Sequence, residues 1–324
     1  MNFKGQDILS TKQFDKVSME RLFSRAQEME KIMGGQRGGL GGSAGSSGGS
    51  DGFSRILDGK VLATLFFEPS TRTRFSFETA FLRLGGAVIS GADMMATSSV
   101  KKKETLYDTG KVVSQFADLI AMRHPAVGSV AELARGADVP VINAGDGPNQ
   151  HPTQALLDVY TMWKEWGGQL DGKVVAMVGD LKNGRVPHSQ CDLLKFWKVR
   201  FVFVAPEALK MPEEIVAELK EAGREVREVE DLGSVIGEAD AVCATRIQEE
   251  RFSSPKEAAK YMGLYVIDSA MMGRMKSDAL LLHPLPRVNE IAVEVDGDPR
   301  ARYFEQVRNG VAVRMALMAE VLGR

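Results

Sequence analysis

Strand-sized apolar runs recur along this chain, each followed by a stretch whose apolar residues return at helical spacing. Lys60–Phe67, Ala87–Ser90, Leu119–Arg123 and Val139–Asn143 form a first series. A long helical stretch from Pro152 to Trp166 follows, and then the pattern restarts. Its second series is Lys173–Gly179, Arg200–Val204, Glu225–Val229, Ala241–Ala244, Tyr265–Asp268 and Ala279–Leu282, with a helical stretch from Ala301 to Leu322 after it. Alternation of this kind argues for parallel sheets covered by helices on both faces. The expected fold class is α/β, with two doubly wound parallel-sheet domains. Ligands of such sheets bind outside the carboxyl ends of the strands. Ser70, Arg123, Arg185, Arg246 and His283 all follow predicted strand ends, so a single active site in the cleft between the domains is expected.

A chain of 324 residues is long enough for two domains with a core each. Its net charge of −2 and 26% charged residues give no sign of nucleic-acid or membrane attraction. The two cysteines, Cys191 and Cys243, suit a reducing compartment, and the four histidines show no metal-ligand spacing. Met1 to Phe14 is polar, which predicts no signal peptide, and runs such as Val61–Phe67 are too short to span a bilayer. A cytoplasmic protein is expected. Ser18 is the predicted cap of a first helix, with Leu22, Ala26, Met29 and Met33 near one face. Residues 34–52 are a Gly/Ser tract with little to bury, expected to be a flexible loop.

The chemistry concentrates in Phe66-Phe67-Glu68-Pro69-Ser70-Thr71-Arg72-Thr73-Arg74-Phe75-Ser76-Phe77-Glu78. An apolar strand ends at Pro69, and a helical pattern carrying Phe77, Phe81 and Leu84 follows, stopped by Gly85-Gly86. Ser70, Thr71 and Thr73 then lie at a helix N-terminus, where unpaired N–H groups and the helix dipole favour an anion. Arg72 adds a forked set of donors matched to phosphate oxygens. Arg72 and Arg74, two apart on a helix, point to different sides, so only one is expected to hold the anion. A bare Ser-Thr-Arg reads better as a capped helix with solvated arginines; the preceding strand and Pro69 reverse that in favour of an anion site.

Phe67 to Glu78 resembles the carbamoyl-phosphate signature of the aspartate and ornithine carbamoyltransferase family. Met122-Arg123-His124-Pro125, His151-Pro152-Thr153-Gln154-Ala155-Leu156-Leu157-Asp158 and His283-Pro284-Leu285-Pro286-Arg287 match the same family in the same order. Gly179-Asp180-Leu181-Lys182-Asn183-Gly184-Arg185, Thr245-Arg246-Ile247-Gln248 and Pro284 resemble its aspartate branch. The resemblance implies a carbamoyl-phosphate-binding domain over 1–155, an aspartate-binding domain over 156–302, and a C-terminal helix over 303–324 packing back on the first domain.

The implied reaction transfers a carbamoyl group from carbamoyl phosphate to the amine of L-aspartate, with no cofactor. Such a site needs oxyanion donors and cations around the phosphate more than a protein nucleophile. By resemblance, Ser70, Thr71, Arg72 and Thr73 hold the phosphate, and Arg123 contacts both phosphate and carbonyl oxygen. His151 donates to that oxygen, and Gln154 holds the carbamoyl amide. Pro284, Leu285 and Pro286 offer backbone carbonyls to the carbamoyl NH2. A dicarboxylate acceptor requires separated cations, and Arg185 and Arg246, with Gln248, follow strand ends where these would lie. An ornithine site would want an acidic partner, whereas Arg246-Ile247-Gln248 offers the opposite charge. The implied assembly is a homotrimer whose mobile loop reaches a neighbouring subunit's site, through Lys102 and either Ser99 or Ser98; regulatory chains are admitted as further partners. Lys103 stands where the family usually has glycine, and Asn183 where many aspartate enzymes have tyrosine. The competing readings are a carbamoyltransferase with another amine acceptor such as ornithine, and a non-catalytic anion-binding relative. A dinucleotide-dependent dehydrogenase is disfavoured, because Val174 to Gly184 carries no G-x-G-x-x-G.

Overall fold

The computed structural model describes residues 2–34, 53–97 and 103–324. Ser98, Ser99 and Lys102, and the Gly/Ser tract from residue 35, lie outside the described residues. The chain divides into two compact units, Met1–Leu157 with Val307–Arg324, and Asp158–Gln306.

The first unit carries, in chain order, α1 (Lys16–Ile32), β1 (Val61–Phe66), α2 (Thr71–Arg83), β2 (Ala87–Gly91), α3 (Met94–Thr97), α4 (Leu106–Val113), β3 (Leu119–His124), α5 (Ser129–Gly136), β4 (Val141–Asp146) and the start of α6 (Pro152–Glu165). Its four strands are all parallel, in the order β2-β1-β3-β4. Alternate residues of a strand face opposite sides of the sheet. Ala63, Leu65 and Phe67 join Ile120, Met122, Val130, Leu133 and Val141 in one core cluster. Leu62, Thr64 and Phe66 are buried as well, and Thr64 is held by its hydroxyl, which donates to Glu78 Oε1 of α2 at 2.9 Å.

The second unit carries β5 (Val174–Val178), α7 (Arg185–Leu194), β6 (Arg200–Val204), α8 (Glu213–Glu221), β7 (Glu225–Val229), β8 (Ala241–Ala244), α9 (Pro255–Ala258), α10 (Ser269–Arg274), β9 (Leu280–Leu282) and the start of α11 (Tyr303–Val321). Its strands are again all parallel, in the order β7-β6-β5-β8-β9. Val174, Ala176, Val178, Val202, Val204, Val242 and Leu281 build its core with the helices above them.

Strand order fixes where each unit can hold a ligand. In an open parallel sheet the crevice lies at the carboxyl ends of the two strands where the winding reverses. That point falls between β1 and β3 in the first sheet and between β5 and β8 in the second. Ser70 follows β1 and Arg123 is the penultimate residue of β3; Arg185 follows β5 and Arg246 follows β8.

Three local expectations are corrected. The fourth strand runs Val141–Asp146 rather than 139–143. Tyr265–Asp268 is not a strand: Ile267 makes one isolated bridge, to Ile291, and Asp268 caps α10 by accepting from Met271 N–H at 2.8 Å. Ile267 is buried but Val266 beside it is 37% exposed, so the segment lacks the two-sided burial of a central strand. The cap of α1 is Asp15 rather than Ser18. Ser18 instead sits three residues on, completing a reciprocal capping box with Asp15.

Candidate active site

In the first unit, β1 delivers Glu68, Pro69 and Ser70 to the start of α2. Ser70 is the N-cap residue, but its side chain makes no capping hydrogen bond. Its hydroxyl oxygen accepts instead from Arg123 Nη1 at 3.0 Å. Arg123, near the end of β3, also donates from Nε to Glu68 Oε1 at 2.6 Å and from Nη1 to Thr73 Oγ1 at 3.5 Å. One planar guanidinium thus gathers the loop after β1 and the first turn of α2. Arg72 reaches solvent from that same turn. Burial first, and then the Arg123 charge, push its guanidinium below its ordinary value. Two cations held together at a helix N-terminus are relieved by an anion. Arg74 turns elsewhere: its Nη1 donates to Ser90 Oγ at 3.3 Å, its Nε lies 3.9 Å from Glu78, and its Cζ stands 5.3 Å from the centre of the Phe75 ring.

His151 follows β4 and is buried immediately before α6. The loop that delivers it is organised by Asp146. This buried carboxylate accepts from Asn143 Nδ2 and Gln150 N on one oxygen, and from Gly128 N and Asn149 Nδ2 on the other. The His151 carbonyl accepts from Gln154 N–H at 3.0 Å, which opens α6. His124 plays a local part: its Nδ1 accepts from Ala126 N–H at 3.0 Å, its ring packs 4.9 Å from Phe67, and burial pushes its pKa down.

In the second unit, Gly184 is the N-cap of α7 and Arg185 its first residue. The loop after β5 is pinned by buried Asp180, whose Oδ1 accepts from Asn183 N at 3.0 Å. The same carboxylate accepts from Gln248 N at 3.3 Å, and Gln248 Nε2 donates to the Asn183 carbonyl at 3.0 Å. The loop bearing Arg185 is thereby bonded to the loop bearing Arg246 and Gln248. Gly179 permits the approach: its φ is +119°, and a Cβ there would stand 2.2 Å from the Thr245 carbonyl oxygen. Arg246 Nη1 donates to the Ile247 carbonyl at 3.2 Å.

After β9, Pro284, Leu285 and Pro286 form a turn with Leu285 in the left-handed region at φ +56° and a cis Leu285–Pro286 bond. His283 sets this turn. Its Nδ1 accepts from Leu285 N–H at 2.8 Å, which places the ring proton on Nε2, donating to Glu290 Oε1 at 2.7 Å. Burial works to raise the Glu290 carboxyl, but the His283 hydrogen bond and backbone donors hold it below its ordinary value. Behind them the His283 N–H donates to Gln306 Oε1 at 3.1 Å, and Gln306 and Gln190 both donate to buried Asp158.

The structure therefore brings Ser70, Thr71, Arg72, Thr73 and Arg123 together in the first unit, with His151 and Gln154 at the start of α6. It groups Arg185 with Arg246 and Gln248 in the second, where Pro284–Pro286 follow β9. Sequence reading missed Glu68, Asp180, Asp158 and Glu290, which position these residues. Only Asp180 carried a legible signal, as the acidic residue just past a buried strand.

The fold and the cationic cluster at the strand ends of each unit define an α/β protein suited to anionic ligands. The chain belongs to the aspartate/ornithine carbamoyltransferase family. Residues 6–164 match the model of its carbamoyl-P binding domain, and residues 171–321 that of its Asp/Orn binding domain. The chain is 46% identical over 323 residues to an aspartate carbamoyltransferase catalytic subunit of Thermococcus onnurineus, covering 100% of this chain and 99% of that protein. It superposes on the catalytic subunit of aspartate transcarbamoylase from M. jannaschii with a TM-score of 0.86 at 41% identity, covering 98% of each chain. Aspartate transcarbamoylase from Trypanosoma cruzi, in complex with carbamoyl phosphate and aspartate, matches with a TM-score of 0.88 at 35% identity, covering 99% of this chain and 98% of that one.

Proposed function

We propose that this protein transfers the carbamoyl group of carbamoyl phosphate to the amine of L-aspartate, giving N-carbamoyl-L-aspartate and phosphate, in pyrimidine synthesis. The amine nitrogen attacks the carbonyl carbon, charge gathers on the carbonyl oxygen, the C–O bond to phosphate breaks, and the amine gives up a proton. Ser70, Thr71, Arg72 and Thr73 hold the phosphate. Arg123, Thr73 and His151 donate to the developing oxyanion, where preorganised donors are worth several kcal/mol. Gln154 and the carbonyls of Pro284, Leu285 and Pro286 fix the carbamoyl NH2. Arg185 takes the α-carboxylate of aspartate, and Arg246 with Gln248 the side-chain carboxylate.

The observation that carries this reading is Arg123, which ties Ser70 and Thr73 together beside Arg72 at the start of α2. The domain over 1–155 is read as the carbamoyl-phosphate half and that over 156–302 as the aspartate half, in keeping with the two family models. The active assembly is a homotrimer in which Lys102, with Ser99 or Ser98, serves a neighbouring subunit's site; regulatory chains are compatible with it. Two free, buried thiols, Cys191 and Cys243, fit a cytoplasmic setting. The test is phosphate release from carbamoyl phosphate with L-aspartate against L-ornithine. Release with aspartate alone supports the assignment; release with ornithine alone, or with neither, overturns it.

A further inference from the structure

Arg314 lies in the interior of the first unit on α11, 3% exposed. Its Nη1 donates to Ser76 Oγ at 2.8 Å and to the Gly310 carbonyl at 3.3 Å, and its Nη2 donates to Thr153 Oγ1 at 3.0 Å. Its Cζ stands 4.9 Å from the centre of the Phe77 ring, a distance at which a cation is attracted to the aromatic face. Gly310, one turn earlier, makes the room. A Cβ there would stand 2.8 Å from Arg314 Nη1 and 2.8 Å from Leu157 Cδ2. Glycine inside a helix is disfavoured relative to alanine, and the guanidinium it admits accounts for its presence in mid-helix.

The two hydroxyls that Arg314 joins are not equivalent in the fold. Ser76 belongs to α2, whose first turn is Thr71, Arg72 and Thr73. Thr153 belongs to the opening turn of α6, between His151 and Gln154. A planar fork with fixed N–H directions sets both the separation and the orientation of these helices, which a flexible ammonium would not. We infer that Arg314 is a positioning residue for the carbamoyl-phosphate site, holding the phosphate-binding turn of α2 in register with the His151–Gln154 turn of α6. This rests on the donor assignment made above. It runs against the family division by sequence, since Arg314 falls within the stretch matched by the Asp/Orn binding domain yet serves the donor side.

The test compares Arg314→Met, Arg314→Lys, Ser76→Ala and Thr153→Val by steady-state kinetics, with calorimetric binding of inorganic phosphate as a readout independent of turnover. Losing hydrogen bonds to a charged group predicts, for Arg314→Met, a carbamoyl-phosphate KM and a phosphate Kd raised about tenfold or more. The aspartate KM is expected to stay within about twofold, because the acceptor residues lie on other elements. Arg314→Lys, able to reach one hydroxyl at a time, is expected to fall between Arg314→Met and the wild type. Ser76→Ala and Thr153→Val are expected to give the same donor-specific shift at smaller size, and neither adds to Arg314→Met. A purely structural residue would lower the melting temperature and leave the KM values of the folded enzyme unchanged, and that result overturns the inference. If Arg314→Met does not fold, unchanged donor KM and phosphate Kd in both hydroxyl variants overturn it equally. Wild-type protein that binds phosphate but transfers no carbamoyl group sinks the reaction assignment alone, and the phosphate measurements still decide the role of Arg314.

Discussion

Gln248 donates from its side-chain amide to the Asn183 carbonyl at 3.0 Å, while its own N–H reaches Asp180 at 3.3 Å. The loops after β5 and β8 are thus hydrogen-bonded to each other, and Arg185 and Arg246 stand on them. If both arginines hold the acceptor's carboxylates, as proposed, a dicarboxylate would meet loops already joined to each other, which lowers the ordering cost of binding.

On the proposed assignment, replacing Arg246 by alanine would remove one carboxylate partner of the acceptor, at a residue that belongs to the second unit. The aspartate KM is expected to rise at least tenfold, about the worth of a charge-assisted hydrogen bond, with carbamoyl-phosphate affinity kept. Steady-state kinetics with each substrate varied in turn checks this, and an unchanged aspartate KM sinks the acceptor assignment.

Arg123→Ala should lower kcat by roughly two to three orders of magnitude, as loss of a preorganised oxyanion donor does. Arg123→Lys is expected to restore little, because an ammonium cannot serve Glu68, Ser70 and Thr73 in the plane that the guanidinium spans. Near-wild-type turnover in the lysine variant would remove the geometric argument.

Gly179→Ala places a methyl against the Thr245 carbonyl and forces a side chain on a φ of +119°. The expected destabilisation is about 2–4 kcal/mol, read as a lowered urea midpoint. Thr245 precedes Arg246, so the aspartate KM is expected to rise along with it.

Glu290 contributes stability with a defined sign in pH. Its folded value lies below its ordinary 4.5, so the contribution is complete above that pH and is lost as pH falls through the lower folded value. Glu290→Gln should therefore be less stable than wild type near pH 7, by about 1–3 kcal/mol. The gap should close under acid conditions. Urea midpoints measured from neutral pH down through 4 test it; a gap that persists unchanged into acid refutes the pairing with His283.

Shared sites predict complementation. Arg72→Ala and Lys102→Ala proteins, each inactive alone, should recover activity after subunit exchange. An exchanged mixture with no activity would argue for sites built from single chains.

Much of the scaffold was legible in the sequence because burial leaves a pattern in it. β1, β5, β6 and β8 are apolar runs covered on both faces, and their bounds follow. Tyr265–Asp268 shares that composition, but its surroundings differ and it pairs at one bridge. The cationic and hydroxyl candidates were named from their places at strand ends and from the family's motifs. Their supports were not: Arg123 and Glu68 stand 55 positions apart, and Arg314 and Ser76 stand 238 apart, so no local pattern ties either pair. An arginine inside a helical repeat reads as a solvated face until its neighbours are known. Lys103 shows the reverse, a departure visible in sequence that has a backbone consequence. Its φ is +67°, which costs a lysine about 1 kcal/mol relative to glycine.

The hydroxyl of Ser70 is turned towards Arg123, and the opening N–H groups of α2 receive nothing from it. A phosphate bound there would supply what the serine withholds, so substrate occupancy and the integrity of this helix become one equilibrium. On the proposed donor assignment, amide exchange in the opening turn of α2 would gauge donor saturation, slow when carbamoyl phosphate is plentiful and fast when it is scarce.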